Sequence, residues 1–125
     1  MTKSISDSTN STPRIAVDVM GGDFAPYELI KGAVEGARIS NVQVLLVGDK
    51  QEVESHLRFI DTTGSSIKVI PSEGRITEEE HPLQGLRSHP KASVAIATAL
   101  VKENIADAMI TMGPTGAAMA SATLS

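Results

Sequence analysis

Apolar and polar positions follow two periods along this chain. Residues 14–19, RIAVDV, form a short β-branched run that stops at glycines, which predicts a strand. Pro26 then suits the first position of a helix, where its missing N–H costs nothing. Leu29, Ile30, Ala33, Val34 and Ala37 recur behind it at helical spacing, so residues 26–39 are predicted helical. Gly32 and Gly36 lie inside that helix at a cost of about 1 kcal/mol each against Ala. They are read as a packing feature that lets the helix sit close to its neighbour. Residues 42–48, VQVLLVG, are apolar almost throughout, the mark of a strand buried on both faces in a parallel sheet. Asp49 is placed to cap a helix over 50–60. The loop DTTGSS leads to a third strand at 67–70, and PSEGRITEEE follows as loop. Residues 82–87 predict a short helix that HPK ends, and 92–102 predict another. Residues 107–113, DAMITMG, are the fourth strand. After the turn PTG, AAMASATLS starts one more helix.

Alternating strands and helices predict an α/β fold with a mostly parallel sheet. Ligands of such sheets sit beyond the C-terminal ends of the strands. Two glycine-rich turns fall at such ends, MGGDFAP after the first strand and MGPTGAA after the fourth. Neither is a dinucleotide-binding G-x-G-x-x-G fingerprint or a Walker A loop. Each either presents backbone N–H groups to phosphate at a helix N-terminus or serves only the geometry of a strand-to-helix turn. Asp23 is read first as a cap for the helix at Pro26. Loop hydrogen bonding, or binding of a hydroxyl or amide, is its alternative role.

Composition narrows the chemistry. Aromatic residues are only 2% of the 125 residues, so the core must consist of Val, Ile, Leu, Ala and Met. Eleven basic and fifteen acidic residues leave a net charge of −4, with no Lys/Arg cluster, which argues against nucleic acid as a partner. Without cysteine there is no disulfide framework, thiolate metal site or Cys nucleophile. No metal-binding spacing and no G-x-S-x-G elbow occurs, so no metal or cofactor is expected. TEEEHP, residues 77–82, is read as a solvated acidic loop beside His81, and His56 and His89 as surface residues. The first thirteen residues hold seven Ser or Thr and no apolar signal core, which predicts a disordered tail at 1–13 and a cytoplasmic protein.

RIAVDVMGGDFAP, LVGD, HPLQGLR and ADAMITMGPTGAAMA occur in one order from Arg14 to Leu124. Together they closely resemble the N-terminal part of the bacterial phosphate acyltransferase (PlsX) family, so that residues 14–125 read as the N-terminal portion of an acyltransferase domain. The resemblance implies a three-layer α/β/α fold like that of the isocitrate and isopropylmalate dehydrogenases, incomplete here. It implies attack of inorganic phosphate on the thioester of acyl-acyl carrier protein, giving acyl phosphate. It also implies a homodimer at full length and peripheral contact with the inner membrane face. By position it makes Asp23, Arg87 and Ser93 the candidate catalytic residues. Gly21, Gly22, Gly113, Thr115 and Gly116 are the candidate phosphate- and substrate-binding residues. Glu80 stands where the family often has Asp. Three positions depart from the family pattern: Phe24 for His, Pro114 for Asn, and Met112 for a small residue. Family members are much longer, so the chain is either a fragment or a shortened relative. The alternative to an enzyme part is a non-catalytic binding protein of the same ancestry.

Overall fold

The structure is a computed structural model that describes residues 12–20, 26–73 and 92–111. Along the chain run β1 (Arg14–Asp18), α1 (Pro26–Ser40), β2 (Gln43–Gly48), α2 (Lys50–Leu57), β3 (Ser66–Pro71), α3 (Ser93–Lys102) and β4 (Ala108–Thr111). The strands form one four-stranded sheet in the order β3-β2-β1-β4, and every neighbouring pair is parallel. The helices at 82–87 and after residue 116 expected from the sequence lie outside the described residues.

The strands sort their side chains by alternation. On one face Val17, Val44 and Leu46 pack with Ile30, Val34 and Ala37 of α1 and Val53 of α2. On the other, Ala16, Leu45 and Val47 pack with Ala97 of α3. Helices therefore cover both faces, giving three layers. Residues 44–47 are all buried, as a run without polar breaks requires of a strand between two helix layers. Full burial of a side chain such as Ile30 or Leu46 contributes about 1.5–3 kcal/mol. Among the described residues the buried hydrophobic side chains are Ala, Val, Ile and Leu, and Phe59 is 80% exposed.

The helix ends have local causes. Asp49 caps α2 by accepting the Glu52 N–H at 2.9 Å. That helix stops at Leu57, short of the expected residue 60. The N–H groups of Phe59 and Ile60 reach back three residues, to the carbonyls of His56 and Leu57, in a tightened last turn. Asn41 and Asn104 follow α1 and α3 at φ 53° and 63°, the left-handed region that Asn tolerates at helix ends. His56 is half-buried rather than on the open surface: its ring meets Tyr27 edge-on at 5.7 Å, joining α2 to α1.

Around Gly32 and Gly36 the described residues show no close packing. A Cβ added at either would find nothing within 4 Å. Both border an apolar groove of about 550 Å³ between α1 and the sheet, whose other walls include Val17, Leu29, Ala108 and Ile110. Among the described residues no neighbour exploits their small size.

Candidate functional site

The chain moves from β1 to β2 to β3 in one direction across the sheet, then returns past β1 to place β4 on its far side. The strand order thus reverses between β1 and β4, and α1 leaves to one face while α3 returns on the other. Open α/β sheets bind ligands at such a reversal, beyond the strands' C-terminal ends. The last residues of these two strands, Asp18 and Thr111, are directly paired in register. One strand leads into Met20-Gly21-Gly22 and the other into Met112-Gly113. The two motif-bearing chain exits therefore lie side by side at one sheet edge.

A single carboxyl group joins these exits. Asp18 Oδ1 accepts the Met20 N–H at 3.0 Å, and Asp18 Oδ2 accepts the Thr111 hydroxyl at 2.8 Å. Asp18 is 2% exposed. A buried acid is costly unless hydrogen-bonded, and here both oxygens are engaged. The alternation of β1 and β4 puts Asp18 and Thr111 on the α3 face, beyond the Ala16–Ala97 contact layer.

At the next exit along the edge, Gly48 ends β2 under close packing. An added Cβ would lie 2.8 Å from Val19 Cγ2 and 3.0 Å from Val53 Cγ2. The Gly48 carbonyl accepts the N–H of Ser72, the first residue past β3, at 2.9 Å. Ser72 is buried, and its hydroxyl has no hydrogen-bond partner among the described residues.

Of the candidate residues from the sequence, only Ser93 is described. It opens α3 and is 3% exposed. The residue before it, Ala92, offers no side-chain cap, and no acid stands in the first turn. Asp23, Arg87, Gly21, Gly22, Gly113, Thr115 and Gly116 lie outside the described residues, as do Phe24, Glu80 and Pro114. Three residues of this edge were missed from the sequence: Asp18, Thr111 and Ser72. Asp18 carried a readable signal, since a lone acid inside the apolar run RIAVDV needs a partner once buried. Thr111 and Ser72 carried none, because a hydroxyl at a strand end is ordinary.

At the opposite end of the β1–β4 pair, Asp107 accepts the Arg14 N–H through Oδ2 at 2.8 Å, and its Oδ1 lies 3.4 Å from Arg14 Nη2. The backbone bond and then the side-chain bond from Arg14 hold this exposed carboxyl below the ordinary aspartate range. Among the described residues there is no group of three or more His, Cys, Asp or Glu that could hold a metal ion. No described helix is long and apolar enough to cross a membrane.

Comparison with known proteins agrees with these motifs. Residues 13–125 match the family model described as fatty acid synthesis protein. The chain is 45% identical over 111 residues to a phosphate acyltransferase of Cyanothece sp., covering 89% of this chain and 32% of that protein. It is 46% identical over 115 residues to the phosphate acyltransferase of Gloeothece citriformis, again 32% of that protein's length. With that of Desulforamulus reducens it shares 43% identity over 108 residues. The chain thus spans 32% of the length of these relatives. By the match over residues 13–125 and by these identities, the chain belongs to the fatty acid synthesis protein family, that of the phosphate acyltransferases (PlsX).

Proposed function

We propose that this chain supplies the phosphate-binding edge of an acyltransferase that forms acyl phosphate from acyl-acyl carrier protein and inorganic phosphate. The observation that carries the reading is the direct pairing of Asp18 with Thr111, which sets the chain exits toward both glycine motifs beside each other. Relatives named phosphate acyltransferase support the same chemistry.

In the proposed reaction a phosphate oxygen attacks the thioester carbonyl carbon. A tetrahedral oxyanion forms, the C–S bond breaks, and the sulfur leaves as the carrier protein's thiolate, which takes a proton from solvent. Phosphate is already nucleophilic near neutral pH, so the protein's work is to position it and to stabilise the oxyanion. Backbone N–H groups of Gly21, Gly22, Gly113 and Gly116 and the Thr115 hydroxyl are the proposed donors. Arg87 would neutralise phosphate charge, Ser93 would add a hydroxyl from the start of α3, and Asp23 would hold the first turn. A homodimer, a cytoplasmic location and contact with the inner membrane face belong to the same proposal, which concerns the family-length protein.

The test joins this chain to the remaining two-thirds of the Cyanothece relative and follows release of carrier-protein thiol from its acyl thioester. Thiol release that requires phosphate is expected. Release independent of phosphate, or none above the blank from a folded fusion, contradicts the reading.

A further inference from the structure

We propose that Asp18 is a positioning residue for phosphate binding, acting as a strut between the chain exits of β1 and β4. The inference rests on the phosphate reading above and deepens it, since it names how two separate turns are kept at one spacing.

Three observations carry it. The Asp18 carboxyl is 2% exposed, so it is not itself a surface ligand. Its two oxygens divide between the exits: one holds Met20, directly before Gly21, and the other holds Thr111, directly before Met112. The register places Asp18 and Thr111 opposite each other as the last described pair of the β1–β4 ladder. The carboxyl bonds tie this pair of strands to Met20, two residues further along the exit of β1. A side chain at this point has leverage on everything downstream, because phosphate bound by N–H groups of two turns is held only when both are at the right distance. Removing such alignment weakens binding even where the donors themselves are untouched.

The hydroxyl also has a fixed direction. Thr111 donates its proton to Asp18, so that proton is committed to the strut. Thr111 acts through Asp18 in this scheme.

The experiment uses Thr111→Val, which keeps the shape and removes the donor, and Thr111→Ser, which keeps the donor. Hydrogen exchange of the Met20 amide reads the strut, and calorimetric titration with inorganic phosphate reads the site. In Thr111→Val the Met20 amide is expected to exchange faster and phosphate affinity to fall about tenfold, the scale of one hydrogen bond to a charged group. Thr111→Ser is expected to restore both. Faster Met20 exchange with unchanged phosphate affinity would leave Asp18 a purely structural role and overturn the proposal. Unchanged values of both would overturn it as well. If the unsubstituted chain binds no phosphate, the positioning role falls together with the phosphate reading. Met20 exchange in Thr111→Val then shows separately whether the strut exists.

Discussion

Asp107 accepts the backbone N–H of Arg14 at 2.8 Å and donates its own N–H to the Arg14 carbonyl at 2.7 Å. This pair closes the N-terminal end of the β1–β4 ladder, and Asp18 and Thr111 form its last described pair at the other end. The Arg14 guanidinium also donates through Nη2 to the Asn104 carbonyl, at the turn after α3, at 3.0 Å. One arginine thus holds the turn that delivers the chain to β4.

The Asp107 carboxyl is held below its ordinary value of 3.8 by the backbone and side-chain bonds from Arg14. A depressed folded value means that the group binds its proton more readily in the unfolded chain. Its stabilisation is therefore fully present above the ordinary value and is lost as pH falls through the depressed one. In urea denaturation, Asp107→Asn should lower the midpoint at neutral pH, and the gap from the unsubstituted protein should narrow as pH falls below about 3.8. A gap that stays constant across this range would show that the bonds to Arg14 do not favour the charged form.

Gly48 should not tolerate a methyl group. The new Cβ would meet Val19 Cγ2 at 2.8 Å, Val53 Cγ2 at 3.0 Å and Met20 Cγ at 3.1 Å, all within the packed end of β2. Overpacking of this kind typically costs about 1–3 kcal/mol. Gly48→Ala is expected to lower the unfolding free energy by that amount, measured by denaturant titration. An unchanged midpoint would mean that α2 moves aside without cost.

Gly36 should behave oppositely. Its position is helical and a Cβ there meets nothing within 4 Å. Gly36→Ala removes backbone entropy from the unfolded chain and is expected to raise stability by about 0.5–1 kcal/mol. Destabilisation on thermal unfolding would show that the groove wall at Gly36 is occupied in solution.

Much of this architecture is legible in the sequence because burial writes itself into period. The unbroken run Val44–Val47 announced a strand between two layers, and Ile30, Val34 and Ala37 announced the buried stripe of α1. Boundaries were less legible: residues 58–60 read as helix because a tight three-residue turn has the same composition as a helix end. The close neighbour expected at Gly32 and Gly36 is not found among the described residues, since spacing shows only that a close approach is allowed. The strut was hidden for a different reason. Asp18 and Thr111 are 93 residues apart, and only the reversal of strand order makes them neighbours. No local pattern encodes a crossover. The glycine motifs, by contrast, were readable as motifs, since their spacing is local.

The most direct test of a shared phosphate site at the β1 and β4 exits is a phosphate titration of the isotopically labelled chain, followed amide by amide. Met20, Gly21 and Gly22 on one side, and Thr111, Gly113 and Gly116 on the other, are expected to shift together and to fit one dissociation constant, while the amides of α2 stay still. A response confined to one of the two exits, or spread over exposed Lys and Arg without saturation, would contradict a single site built from both.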